Sequence, residues 1–101
     1  MKQVTILQLK KTEENMYKMF FSLRSLKNRG LEVNVDDYRE VWSGEMDVED
    51  PEDVFMKLQF TKPEGYKGHS LSVSDIVKMD GELYYCDSYS FVKLSSLNKA
   101  A

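Results

Sequence analysis

The residues best suited to chemistry in this chain of 101 residues stand close together: His69, Ser70, Ser72, Ser74 and Asp75. A histidine, hydroxyls and a carboxylate are the parts of a hydrolase triad, in which a base takes the proton of a nucleophilic hydroxyl and the carboxylate orients the base. The spacing argues against that chemistry. Neighbouring residues of an extended segment point to opposite sides, so the Ser70 hydroxyl does not readily meet the His69 ring. No Gly-x-Ser-x-Gly elbow is present either. The plainer expectation is that the hydroxyls and Asp75 bond backbone N–H groups in a tight loop, with Ser72 to Asp75 spaced as in a capping box. No catalytic residue is assigned.

His69 is the single histidine and Cys86 the single cysteine. They cannot assemble a zinc set, and carboxylates alone suit harder ions, so no metal and no cofactor is expected. His69 is expected to tether a loop through its ring nitrogens. Cys86 lies between Tyr85 and Asp87 with no basic neighbour in sequence to stabilise a thiolate, which predicts a buried, inert thiol.

The acidic run Glu45, Asp47, Glu49, Asp50, Glu52 and Asp53 lacks the ligand order of a calcium loop. It is read as a solvated loop feeding a helix N-terminus or, as a function, a dock for a basic partner. Six tyrosines and Trp42 raise the question of a base-stacking platform. Such platforms interleave aromatics with a basic groove. Here the basic cluster (Lys10, Lys11, Lys18, Arg24, Lys27 and Arg29) lies far in sequence from Tyr84, Tyr85 and Tyr89. The aromatics are therefore assigned mainly to core or interface.

The elements that must hold these residues centre on Asp80-Gly81. This pair lies between two runs rich in β-branched and aromatic residues, the pattern of a two-residue hairpin whose turn needs positive φ. In that register Met79 faces Glu82, Lys78 faces Leu83, Val77 faces Tyr84, Ile76 faces Tyr85 and Asp75 faces Cys86. One face carries Val77, Met79, Tyr84 and Cys86; the other carries Ile76, Leu83 and Tyr85. Two apolar faces predict a hairpin covered on both sides.

Around it, Val4 to Leu9 reads as a strand with Val4 and Ile6 inward, ended by Lys10-Lys11. Residues 12–29 fit either one helix capped by Thr12 or a split, with Tyr17 to Phe20 extended and a helix from Ser22 to Asn28. Leu31 to Val35 is a loop or a short extended piece. Tyr38 to Met46 is a second strand, with Tyr38, Trp42 and Met46 at one parity and Gly44 marking a bulge. Asp50-Pro51-Glu52-Asp53 opens a helix that buries Val54, Phe55 and Leu58. Residues 88–94 form a last strand, and 95–101 a frayed tail.

Gly68-His69-Ser70-Leu71-Ser72-Val73-Ser74-Asp75-Ile76-Val77, then Gly81 and Tyr85 to Phe91, resembles the signature of YodL-like bacterial domains. Tyr38, Val41, Trp42 and Gly44 resemble that family's Tyr-rich segment, and Val4 to Leu9 its opening strand. The chain departs from the family pattern at Cys86, where Val is commoner, and at Ser90, where Gly is usual. The resemblance covers almost the whole chain and favours the split of residues 12–29. It implies a small cytoplasmic bacterial domain, often carried on mobile elements or near antirestriction modules. It implies no activity and no catalytic residues.

At this length one domain spanning 1–101 is expected, with a modest single core. A net charge of −3 supplies no overall basic field for nucleic acid or anionic lipid, nor enough acid to imitate a DNA backbone. No run approaches membrane-spanning length, Met1-Lys2-Gln3 opens no apolar leader, and a cytoplasmic location is expected. The resulting expectation is an α+β domain: a small, mainly antiparallel sheet, or a partly closed barrel, with one or two short helices packed on it. Its function is read as a non-enzymatic interaction module with another protein as partner. A small-barrel nucleic-acid binder is the alternative, and an enzyme of unknown reaction comes third. Binding candidates are Tyr66, Gly68, His69, Ser70, Ser72 and Asp75; structural candidates are Ser74, Asp80, Gly81, Trp42, Gly44 and Tyr85.

Overall fold

A computed structural model describes residues 1–12, 21–31, 33–87 and 90–94. Among these, five strands form one antiparallel sheet: β1 (Lys2–Leu9), β2 (Tyr38–Met46), β3 (Ile76–Met79), β4 (Glu82–Cys86) and β5 (Phe91–Lys93). The spatial order is β2-β1-β3-β4-β5, so the sheet is open, with β2 and β5 at its edges, and the partly closed barrel does not form. The first strand is the backbone of the design. It pairs with β2 on one side and, some seventy residues later in the chain, with β3 on the other.

The hairpin follows from its turn. Asp80 and Gly81 take φ of 50° and 85°, the mirror-image turn whose twist matches that of the flanking strands. Its register pairs Met79 with Glu82, Lys78 with Leu83, Val77 with Tyr84 and Ile76 with Tyr85, as expected. Beyond the strand end, Cys86 N–H donates to Asp75 O at 2.8 Å and Ser74 N–H to Cys86 O at 2.9 Å, carrying the ladder into the preceding loop.

Each face of the sheet has its own helix. The helix α1 (Leu23–Asn28) begins at Ser22, whose hydroxyl accepts the Ser25 N–H at 3.1 Å. It buries Leu26 with Leu9, Tyr38, Ile76, Tyr85 and Leu94. Two polar bonds tie its start to the hairpin: the Tyr85 hydroxyl donates to Phe21 O at 2.7 Å, and Leu23 N–H to Asp87 Oδ1 at 3.0 Å. The second helix, α2 (Pro51–Phe60), has Asp50 as its cap, accepting the Asp53 N–H at 2.9 Å. Pro51 occupies a first-turn position that needs no donor. Val54 and Leu58 pack on Val4, Ile6, Val41, Val77 and Met79 of the opposite sheet face. Each such fully buried side chain contributes roughly 1.5–3 kcal/mol.

Two expectations for β2 need correction. Ile6 lies opposite Trp42 and Leu7 opposite Glu40, so the bulge is at Val41, not at Gly44. The extra residue reverses parity. Tyr38 therefore faces the α1 side, while Trp42 and Met46 face the α2 side. Gly44 has a different reason: a Cβ there would come within 2.7 Å of Trp42 Cζ2, so the indole lies over the glycine. The readings of Tyr17 to Phe20, of Ser88 and Tyr89, and of the tail 95–101 fall outside the described residues.

Candidate functional site

Sequence reasoning passed over Gln8, which turns out to be a hub. It continues the inward side of β1 after Val4 and Ile6, and it is fully buried at 0% exposure. Its amide NH₂ donates to His69 O at 2.8 Å and to Asp75 Oδ2 at 3.1 Å, and lies 3.3 Å from the Tyr66 hydroxyl. Its amide oxygen accepts the His69 N–H at 3.2 Å. One side-chain amide thus pairs with both peptide groups of His69, as a neighbouring strand would. The signal was present in the sequence: strand alternation puts Gln8 inward with Val4 and Ile6, and an inward glutamine must find partners.

The loop from 66 to 75 closes around that amide. The Tyr66 hydroxyl donates to His69 O at 2.9 Å, and burial pushes this phenol up to about 12. At Gly68 a Cβ would collide with Gln8 Oε1 and come within 2.9 Å of Val41 Cγ1, so close approach requires glycine there. Lys67 N–H donates to Val41 O at 2.9 Å, and Arg39 Nη2 to Lys67 O at 3.3 Å. The loop therefore adds to β2 along its outer side.

Asp75 is the charged end of the cluster and is 1% exposed. Its Oδ2 accepts two N–H groups, from Gln8 at 3.1 Å and from the Ser72 backbone at 2.9 Å. Burial nevertheless pushes its carboxyl up to about 7, opposed by the Ser72 N–H, the Gln8 amide and the nearby Ser72 side chain. The bond to Ser72 N–H is the returning half of a capping box, but a strand follows it, not a helix. Ser74, at φ 86°, makes the turn between them, and its carbonyl accepts the Tyr38 hydroxyl at 2.6 Å. The Ser72 hydroxyl is buried and, among the described residues, forms no hydrogen bond of good geometry.

His69 Nδ1 lies 2.7 Å from Ser70 O. A carbonyl only accepts, so this contact is a hydrogen bond when the hydrogen is on Nδ1; the Gln8 amide nitrogen lies 3.4 Å from the same atom. Nε2 then faces Asp75 Oδ1 at 3.9 Å. Tyr66, Gly68, His69, Ser72 and Asp75 are thus brought together; Ser70 joins through its carbonyl, with the residue itself exposed. Cys86 is buried, and burial holds its thiol up at about 12, a proton-bearing form unsuited to attack. Trp42, Gly44, Asp80, Gly81, Ser74 and Tyr85 all lie in turns, seams or core, as described above.

A second feature lies where the same segment leaves α2. Met46, Lys57, Phe60, Thr61 and Pro63 line an open groove of about 420 Å³. Trp42 Nε1 donates to Glu64 O at 3.2 Å and fixes the loop behind it. On α2, Phe60 is 82% exposed and Met56 57% exposed. The stretch from Glu45 to Asp53, which runs from this groove to the start of α2, carries six acids and no base. Asp50 and Asp53 serve as caps and Glu52 accepts the Phe91 N–H at 3.4 Å, but none of the six has an ion-pair partner among the described residues.

Among the described residues, no helix is long and apolar enough to cross a membrane, and no group of three or more His, Cys, Asp or Glu side chains is placed to hold a metal ion. An open five-stranded antiparallel sheet, one short helix per face and a loop sewn to β1 by a buried amide define a small α+β domain. The chain belongs to the YodL-like domain family, whose model matches residues 3–96. Comparisons with curated proteins and with solved structures gave no match.

Proposed function

We propose that this YodL-like domain is a non-enzymatic, regulatory interaction module. In this reading it works in the bacterial cytoplasm, in a mobile-element setting, and takes a basic, apolar-anchored segment of another protein in the α2 groove. The observation that carries the reading is the pairing of an exposed apolar surface at Phe60 and Met56 with six acids that lack ion-pair partners among the described residues. A shallow groove open along one side suits one or two side chains of a partner better than an enclosed small molecule. The flanking acids favour lysine or arginine beside that anchor and would speed its approach. In this reading Tyr66, Gly68, His69, Ser72 and Asp75 frame the loop whose start forms the Pro63 wall, and the exposed Ser70 stays open to the partner. The cellular setting rests on the family resemblance alone.

Nucleic-acid binding is the weaker reading, because the same acids would repel phosphates and no barrel is formed. An enzyme of unknown reaction stays third. The test titrates the ¹⁵N-labelled domain with a synthetic lysine- and leucine-rich peptide, with its glutamate counterpart, and with single- and double-stranded DNA at two salt concentrations. Shifts confined to Met46, Lys57, Phe60 and Thr61, seen with the basic peptide only and lost in Phe60→Ser, are the expected result. Equal response to the acidic peptide, a DNA response, or self-association of the domain through this face would overturn it.

A further inference from the structure

We infer that the partner segment binds as an added β-strand, hydrogen-bonded to the outer edge of β2 at Ser43 and Glu45, with basic and apolar residues alternating along it. The inference rests on the groove reading and adds to it the partner's conformation and sequence pattern. β2 is an edge strand, and its pairing with β1 shows which of its backbone groups are spare. Gln3 O accepts the Asp80 N–H at 3.0 Å, so the Gln3 peptide groups face β3. Backbone direction alternates along an antiparallel pair, so Lys2, Val4 and Ile6 face β2. Their partners there are Met46, Gly44 and Trp42. The N–H and C=O groups of Ser43 and Glu45 therefore point away from the sheet. None of these four groups has a hydrogen-bond partner among the described residues, and both residues are exposed.

The same edge already accepts a segment of chain two residues away. Lys67 N–H donates to Val41 O at 2.9 Å, and Glu64 O accepts the Trp42 indole N–H at 3.2 Å. Residues 64–67 thus lie along β2 in the antiparallel sense, with no backbone bond to it beyond Val41. The opposite edge is less open: β5 has three residues, and its Phe91 N–H is taken by Glu52 Oε2 at 3.4 Å. The two faces of β2 set the pattern of the added strand. Trp42 and Met46 pack on the α2 side, whereas Ser43 Oγ meets Thr5 Oγ1 at 2.9 Å on the other. In an antiparallel partner, residues bonded to Ser43 and Glu45 share their face, and the residue between lies opposite Gly44. An apolar side chain at that middle position is flanked by Trp42 and by Met46, a wall of the groove. Lysine or arginine on the other face stands beside Glu45, which has no ion-pair partner among the described residues. A second copy is disfavoured, because β2 against β2 sets the acids of one domain beside those of the other.

The test titrates the ¹⁵N-labelled full chain with a short peptide alternating lysine and leucine. Two further versions carry a methyl group on the lysine or on the leucine backbone nitrogens. A groove acting alone confines the shifts to its lining. Strand addition extends them to Ser43 and Glu45 and slows hydrogen exchange of those two amides by at least about tenfold. Methylating the lysine nitrogens, which face β2 in the added strand, should weaken binding by at least about tenfold, with little change on methylating the leucines. Ser43→Pro, which removes an outward donor and no ladder bond, should weaken binding to a similar degree. Equal binding of both methylated peptides, or unchanged Ser43 and Glu45 exchange while the groove lining shifts, overturns strand addition and leaves the groove reading standing. No binding of the parent peptide, or binding indifferent to Phe60→Ser, removes the groove reading and this inference with it. Should Ser43→Pro fail to fold, the methylated peptides decide.

Discussion

Between α2 and β3 the chain first leaves apolar surface bare and then satisfies nearly every polar group it buries. At residues 60–63, Phe60 and Pro63 stand at an open groove beside acids without ion-pair partners among the described residues. At residues 66–75, the His69 peptide groups, the Tyr66 hydroxyl and the Asp75 carboxylate converge on the buried Gln8 amide. The part that looks like chemistry in the sequence is largely hydrogen-bonded into the fold. The part that looks ordinary, a helix ending in phenylalanine, is the part left open. Buried polar groups are costly unless paired, so a dense polar cluster in a small domain is first of all a structural seam. An exposed large apolar side chain carries no such internal explanation, and a cluster of them points outward.

The sharpest way to break this contrast is Gln8→Leu. It removes one amide and leaves the His69 N–H and C=O and the Asp75 carboxylate short of partners. At roughly 1–3 kcal/mol for each buried group left unsatisfied, a loss of about 3 kcal/mol is expected in chemical denaturation, with the 66–75 amides losing protection first. A change below about 1 kcal/mol would mean that water replaces the amide freely and that the seam is not the anchor it resembles.

A smaller effect is expected at the hairpin, which is separate from the seam. Gly81→Val places a β-branched residue at φ 85° and should cost about 2 kcal/mol. Its effect should add to that of Gln8→Leu, because the two sites share no partner. Marked non-additivity in the double variant would show that turn and seam form one cooperative unit.

The smallest effect on stability should come from the groove. Phe60→Ser should shift the denaturation free energy by no more than about 0.5 kcal/mol, since the ring is already mostly in water. The same variant should lose the response to the basic peptide. A large stability loss would turn the groove into unrecognised core and erase the contrast between the two regions.

Much of the fold could be read directly from the chain. The Asp80-Gly81 turn, the register of β3 on β4, the Ser22 and Asp50 caps and the distribution of Val77, Met79, Ile76 and Tyr85 over two faces all emerge as expected. These features depend on neighbours within a few residues: a turn that needs positive φ, a cap that needs an oxygen next to free N–H groups, a strand whose faces alternate. The loop was legible only in part: the Asp75 carboxylate takes the Ser72 N–H, as local competition for backbone predicts, whereas the buried Ser72 hydroxyl has no such bond among the described residues.

What only the tertiary structure decided lies between residues far apart in the chain. The pairing of Val4 with Met79, and of Gln8 with His69 and Asp75, joins segments more than sixty positions apart, and no local preference specifies which strand becomes the neighbour. The bulge at Val41 likewise depends on how β2 must shift against β1 for Tyr38 to reach Ser74 O on one face while Trp42 covers Gly44 on the other. The sequence by itself determined which residues must be buried or bonded. Only chain closure in three dimensions decided with what, because a buried donor or carboxylate states a need for a partner without naming one.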